Sequence, residues 1–304
     1  MHWADYTAQK LKERGENQVS ASGITPSGEF HIGHLREILS AEMIHRSCLN
    51  AGMKSKYIFI VDSMDPLRRV YDFLSCEYEE YIGCPLAYIP APDSEGKPSG
   101  SDISYAEYFL NPFLESLEQI GVNPEVVMNH ESYENGEFAK YIDLAIKNKE
   151  EIRSTIQEIS GRELSKEWFP YSPIGSDGSL DGVIVTGYEN PYVYWRDEQS
   201  VDGKSDIRKG EGKMPWRIDW AARWILHGIT CEPAGKDHGA AGGSYDTGIP
   251  ICRILGGNPP DKIVYEWIQL KGMGPMSSSS GVTIGPMEAL SLVPPEILRY
   301  IIAR

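Results

Sequence analysis

The chain has 304 residues, 41% of them hydrophobic and 24% charged, enough to bury a sizeable core in one large or two smaller domains. Its 44 acidic and 29 basic side chains give a formal charge of −15, which excludes a wide nucleic-acid-binding face, since such a face needs surplus Lys and Arg to displace counterions; any contact with RNA must be local or supplied elsewhere. No stretch reaches the roughly 18 consecutive apolar residues of a membrane span, and Met1-His2-Trp3-Ala4-Asp5 lacks the basic start and apolar core of a secretion signal, so a cytoplasmic location with no membrane contact is expected.

In chain order, a polar helix over Trp3 to Leu11 precedes a short strand at Gln18 to Gly23 and a helix from Gly33 to about Ala51. In that helix Leu35, Ile38, Leu39, Met43, Ile44 and Cys48 fall near helical spacing, and Gly52 supplies a stop. Tyr57 to Val61 is an uninterrupted apolar run ending at Asp62, the pattern of a strand covered on both faces of a parallel sheet. A βαβ unit is predicted. Asp65 to Ser101 is rich in Pro, Gly and Ser and reads as irregular surface. Phe109, Leu110, Phe113, Leu114, Leu117 and Ile120 mark another helix, Glu125 to Met128 a strand, and Phe138 to Ile159 one longer helix.

From about Glu163 to Gly212 the composition changes, with β-like runs at Val183-Ile184-Val185 and Tyr192-Val193-Tyr194-Trp195 and no long helix. Trp216 to Leu226 is then helical, Ile263 to Ile268 a strand, and Pro295 to Ala303 a last helix. The pattern is α/β: a Rossmann-like doubly wound parallel sheet with a small inserted β-rich module. The expected divisions are 1–160, 161–212 and 213–304.

Three segments carry chemistry. In Gly23-Ile24-Thr25-Pro26-Ser27-Gly28-Glu29-Phe30-His31-Ile32-Gly33-His34 a strand runs through a Gly- and Pro-bearing turn into a helix that opens with two histidines. A helix N-terminus has unpaired N–H groups and a partial positive charge, so it seats phosphate; two imidazoles add donors, and Gly33 leaves room for a nucleotide. A capped helix with two surface histidines is the plainer alternative. Ala234-Gly235-Lys236-Asp237-His238-Gly239-Ala240-Ala241-Gly242-Gly243-Ser244 joins a cation, a carboxylate and an imidazole in a small-residue loop. A carboxylate there accepts hydrogen bonds from ribose hydroxyls, unless the loop is a mere connection. Lys271-Gly272-Met273-Gly274-Pro275-Met276-Ser277-Ser278-Ser279-Ser280-Gly281 reads by itself as a polar linker.

Together, in this order, the segments resemble the signatures of class I aminoacyl-tRNA synthetases. His31-Ile32-Gly33-His34 matches the HIGH motif letter for letter, the second segment is similar to the G-x-D-x-H loop, and the third to the KMSKS loop in its K-M-S-S-S-K-G form. Met1 to Asp5, Asp65-Pro66-Leu67-Arg68-Arg69, Lys213-Met214-Pro215-Trp216-Arg217-Ile218-Asp219-Trp220 and Gly242-Gly243-Ser244-Tyr245-Asp246-Thr247 extend the resemblance over essentially the whole chain, to the catalytic domain of class I lysyl-tRNA synthetases. The resemblance implies ATP-dependent activation of lysine, with Mg²⁺, and ligation to tRNA(Lys) at its acceptor end. It implies catalytic roles for His31, His34, Ser277, Ser278 and Ser279, and contacts to ATP from Pro26, Gly33, Gly235, Asp237, His238 and Met276. Gly23, Thr25, Asp62, Trp220, His238 and Tyr265 are the implied lysine contacts, though Trp220 and Tyr265 taken singly are equally well explained by core packing.

Two departures stand out. Pro275 and Ser280 replace the lysines of the KMSKS form; each lost donor to a developing anion costs on the order of 10² to 10³ in rate, so ATP binding with slowed activation is expected unless Lys271 or Lys236 substitutes. The five cysteines, Cys48, Cys76, Cys84, Cys231 and Cys252, include no C-x-x-C pair, so no metal held by cysteine and no zinc in the inserted module is expected. The chain stops at Arg304, where the family continues into an anticodon-binding region, so anticodon reading is not expected of this chain. Three explanations follow: an excised ligase domain, a stand-alone paralogue serving a non-tRNA acceptor, or a degenerate nucleotide or amino-acid binder with a regulatory task. A dehydrogenase is disfavoured, because the first turn lacks G-x-G-x-x-G.

Overall fold

The computed structural model describes residues 1–270, 274–275 and 284–303. Helix α1 (Trp3–Leu11) leads into β1 (Asn17–Ile24), α2 (Ile32–Asn50), β2 (Lys54–Val61), α3 (Tyr105–Ile120) and β3 (Glu125–Met128), followed by α4 (Asn129–Glu134), α5 (Ala139–Lys147) and α6 (Lys149–Ser160). Short strands come next, β4 (Ser172–Pro173), β5 (Ile184–Glu189), β6 (Tyr192–Arg196), β7 (Asp202–Asp206) and β8 (Gly212–Lys213). The chain then returns through α7 (Trp216–Leu226), β9 (Cys231–Gly235), α8 (Lys236–Gly239), α9 (Ser244–Ile254) and β10 (Asp261–Tyr265). A two-stranded ribbon, β11 (Gln269–Leu270) with β12 (Gly274–Pro275), precedes α10 (Pro286–Leu292) and α11 (Pro295–Ala303).

The central sheet has five parallel strands in the order β10-β9-β1-β2-β3. β1 and β2 stay in register from Asn17↔Lys54 to Ile24↔Val61. As the apolar run predicts, β2 is covered on both faces: Tyr57, Phe59 and Val61 enter one core cluster with Leu35, Ile38 and Phe113, while Ile58 and Ile60 enter another with Ile218, Trp224 and Tyr245. Successive strand residues point to opposite faces, so both clusters grip the same strand. Helix α3 is closed at its start by Ser104 and Glu107, which cap each other, and at its end by Gly121 in the left-handed region at φ 74°.

Between β3 and α7 the sheet is interrupted by two antiparallel pieces, β5-β6-β7 and the β4-β8 pair. The β4-β8 pair matters most for function, because it brings Lys213 back against the ends of the main strands.

Several elements differ from expectation. The helix predicted over Phe138 to Ile159 is two helices, broken at Asn148 with φ −104° and ψ 22°; its Nδ2 donates to Leu144 O at 2.8 Å, an instance of a short amide competing with the helix backbone. The strand predicted to reach Ile268 ends at Tyr265, because its one neighbour, β9, pairs that residue through Gly235 and then turns into α8. Strand β9 itself had no recognisable pattern: Cys231-Glu232-Pro233-Ala234-Gly235 carries a charge and a proline in a fully buried strand.

Candidate active site

Strand order reverses at β1: the chain proceeds outward through β2 and β3 on one side, and β9 and β10 lie on the other. In parallel α/β sheets ligands bind beyond the strand C-termini at such a switch point. Here β1 and β9 are registered at Ser20↔Cys231, and beyond that pair a cleft of about 680 Å³ opens. Gly23, Ile24 and Thr25 at the end of β1, Asp62 and Asp65 after β2, and Glu232 to Gly235 of β9 line it, with His34 and Glu37 of α2.

The helix start is built by its own histidines. His31 is the N-cap, and its Nδ1 accepts the Gly33 N–H at 3.1 Å, while His34 Nδ1 accepts the His31 N–H at 3.0 Å. Because both Nδ1 atoms accept, each neutral ring carries its proton on Nε2, a donor not consumed by the cap. Burial lowers the pKa of His31, and burial together with His31 pushes His34 down to about 3. Both rings are therefore neutral at pH 7 and stand 3.9 Å apart, centroid to centroid, without mutual charge repulsion.

One turn further, Glu37 reaches under β1. Its Oε1 accepts the Gly23 N–H at 2.7 Å, and its Oε2 accepts the Tyr265 hydroxyl at 2.9 Å. Burial, opposed by these two hydrogen bonds and reinforced by Glu232 and Asp62, raises Glu37 to about 8. Burial likewise raises Glu232 to about 7, although Trp224 Nε1 donates to its Oε2 at 2.6 Å. The cleft floor thus holds carboxyl groups that retain protons unusually long, which is what desolvation does when it outweighs the hydrogen bonds and charges that favour the ionised form.

Two other acids on the wall have partners. Asp62 and Asp219 share the buried Arg223 guanidinium, and Tyr133 donates its hydroxyl to Asp219 while accepting the Met214 N–H at 3.1 Å. Burial still lifts Asp62 to about 6, against the pull of Arg223. Asp65 pairs with Lys213 and accepts the Thr25 hydroxyl at 2.8 Å; burial would raise it, but Lys213 and the two hydrogen bonds outweigh that and hold it below the usual carboxylate range. This clasp ties the first loop, the second loop and the return strand β8 around one cavity.

Aromatic rings line the cleft beside the acids. Trp216 and Trp220 stack at 5.0 Å and 18°, and the His238 ring lies 5.9 Å from each. Of the residues singled out from the sequence, Gly23, Thr25, His34, Asp62, Trp220, Gly235 and His238 line the cleft together. Tyr265 stands behind Glu37, and His31 and Gly33 form the cap. Pro26 is buried in the adjoining turn, and Asp237 is exposed on α8 with Oδ2 3.5 Å from His238 Nε2. Met276, Ser277, Ser278 and Ser279 lie outside the described residues.

Sequence reasoning missed Glu37, Glu232, Lys213 and Arg223 as site residues. For Glu37 a signal existed: it sits one turn after His34, on a helix whose neighbours Leu35 and Ile38 are core. Asp219 and Arg223 are spaced i,i+4 within the stripe Trp216, Trp220, Trp224, and such a pair among tryptophans marks a buried ion pair.

Comparison with known proteins adds a family match. The model of the tRNA synthetases class I (K) family matches residues 1–304. Over 306 aligned residues the chain is 44% identical to a lysine–tRNA ligase of Picrophilus torridus, with 100% of this chain and 59% of the relative covered. It is 45% identical to a lysine–tRNA ligase of Archaeoglobus fulgidus, 61% of which is covered. The chain thus spans roughly three fifths of the length of these curated relatives. A solved tyrosyl-tRNA synthetase from Archaeoglobus fulgidus, complexed with L-tyrosine, superposes with a TM-score of 0.48 at 13% identity, covering 92% of this chain and 64% of that one.

Proposed function

The chain belongs to the class I tRNA synthetases, and from that premise we propose that it activates lysine with ATP, carried as its Mg²⁺ complex, and transfers the lysyl group to the 3′ end of tRNA. The observation that carries the choice of amino acid is the set of cleft carboxyl groups held above their ordinary pKa, Glu37, Asp62 and Glu232, in a cleft that Trp216 and Trp220 also line. Asp62 already shares Arg223, but among the described residues neither Glu37 nor Glu232 has an ion-pair partner, and the ammonium groups of a ligand supply that counter-charge; tryptophan faces attract cations as well. The curated relatives named above are lysine–tRNA ligases, which supports the same choice.

In the first step a lysine carboxylate oxygen attacks the α-phosphorus, the bond from that phosphorus to the bridging oxygen breaks, and pyrophosphate leaves with its magnesium. No protein nucleophile is required; the chemistry depends on positioning and charge stabilisation. His31 and His34 present neutral Nε2–H donors at the helix N-terminus, where negative charge is favoured. Gly235 and Asp237 are assigned to the nucleotide, and Met276 with Ser277 to Ser279 to the departing pyrophosphate, as the family resemblance implies. In the second step a terminal ribose hydroxyl attacks the lysyl carbonyl carbon, the bond from that carbon to the phosphate oxygen breaks, and AMP departs with the hydroxyl proton on its phosphate.

The carboxyl protons give this reading a pH signature. Glu37 is raised to about 8, so the free protein holds a proton that an ammonium ligand must displace. Lysine affinity therefore rises with pH from about 6 toward about 8, by at most about tenfold per unit, and levels off once the carboxyl group is ionised. Calorimetric titration of lysine at several pH values, with wild type and Glu37→Gln, tests this. Expected are a rising affinity in wild type and a weaker, flatter response in the variant; an affinity indifferent to pH sinks the assignment of the ammonium to Glu37.

A further inference from the structure

The acidic surface of the chain has a local exception beside the cleft. Arg68 and Arg69 are both exposed, and Arg68 also lines the cleft. Among the described residues neither guanidinium is ion-paired with a carboxylate. The Arg69 guanidinium lies over the Tyr71 ring at 5.2 Å, and Tyr71 stacks on Phe73 at 5.5 Å with the rings 6° from parallel. Phe73 is 40% exposed and is braced edge-on by Phe109 at 5.5 Å. Its ring also lies against the turn before His31: a Cβ added at Gly28 would meet Phe73 Cζ at 3.0 Å. Two arginines with no carboxylate partner among the described residues, one of them over an aromatic ring, and two stacked rings thus form a short ribbon from the cleft wall along the first turn.

From this arrangement we infer that Arg68, Arg69, Tyr71 and Phe73 are the landing surface for the single-stranded 3′ end of the acceptor RNA, an inference that rests on the proposed transfer to tRNA. Single strands are held by bases stacked on aromatic faces and by Arg at the phosphates, with little need for a broad basic field. That matches a chain whose net charge of −15 leaves room only for a local contact. Continuity with the cleft gives direction: a strand lying on Tyr71 and Phe73 passes Arg68 before its terminal hydroxyl reaches the activated carbonyl.

The test uses fluorescence anisotropy with a labelled RNA hairpin carrying a single-stranded 3′ tail, and the same hairpin without the tail, against the full chain. The tailed hairpin is expected to bind more tightly. Arg69→Ala with Phe73→Leu weakens tail binding on the order of tenfold, as loss of one stacked base and one phosphate contact implies. Arg69→Gln alone leaves the aromatic pair in place and lowers the slope of log affinity against log salt by about 0.7. Equal binding of the two hairpins, or variants with wild-type affinity and slope, overturns the inference. Lysine-dependent pyrophosphate exchange, which needs no RNA, is read in parallel: its absence in wild type sinks the adenylation reading, while the tail measurement still decides the surface.

Discussion

His34→Ala is expected to lower the turnover of lysine activation by about 10² to 10³, equivalent to about 3–4 kcal/mol of transition-state stabilisation. The ring is neutral and its Nδ1 is occupied by the His31 N–H at 3.0 Å, so under the proposed mechanism its contribution is one Nε2–H donor to the α-phosphate. Such a donor strengthens as charge develops on the α-phosphate, and its loss falls on kcat more than on the lysine dissociation constant. Alanine also frees the His31 N–H, a capping loss of about 1 kcal/mol that appears in the melting temperature. His34→Asn separates the two effects, since an amide both accepts the cap N–H and offers a donor; it restores stability and part of kcat. A His34→Ala enzyme with wild-type kcat contradicts the assigned role.

Arg223→Met is expected to cost about 3–5 kcal/mol of stability, the usual penalty for removing one partner of a buried ion pair. The guanidinium is 1% exposed and is shared by Asp62 and Asp219, so methionine leaves two buried carboxylates without their ion-pair partner. The deficit has a sign in pH. Asp62 is already raised to about 6, and loss of Arg223 raises it further. A carboxyl group with a raised native pKa stabilises below its unfolded value, and that stability is lost as pH rises through the folded value. Urea unfolding therefore shows a larger deficit at pH 8 than at pH 5. Adding Asp62→Asn and Asp219→Asn recovers much of the loss; a deficit independent of pH, with no recovery, contradicts the account of this network.

These two sites illustrate what the amino-acid sequence discloses and what it withholds. The helix opening at His31 and His34 was legible because a capped N-terminus is local: the residues that build it are neighbours in sequence. β2 was legible because a strand buried on both faces needs an unbroken apolar run. β9 was not, since Glu232 and Pro233 break that pattern and the strand is held by its position between β1 and β10 rather than by its composition. Glu232 and Lys213 escaped for the same reason, and Glu37 escaped although it stands one turn after His34. Each becomes a site residue through contacts across the sheet, Glu37 with Gly23 and Tyr265 and Lys213 with Asp65, and no spacing rule encodes those pairs. The split between α5 and α6 depends on one asparagine amide capturing a carbonyl, a contact that helical periodicity does not register.

The central claim is that the cleft at the end of β1 joins lysine to ATP, and lysine-dependent ATP–pyrophosphate exchange tests it most directly. Each standard amino acid is offered in turn to the folded chain with Mg²⁺ and no RNA. The account predicts exchange with lysine and a much weaker response with every other amino acid. Exchange with none of them, or with another amino acid in preference to lysine, contradicts it.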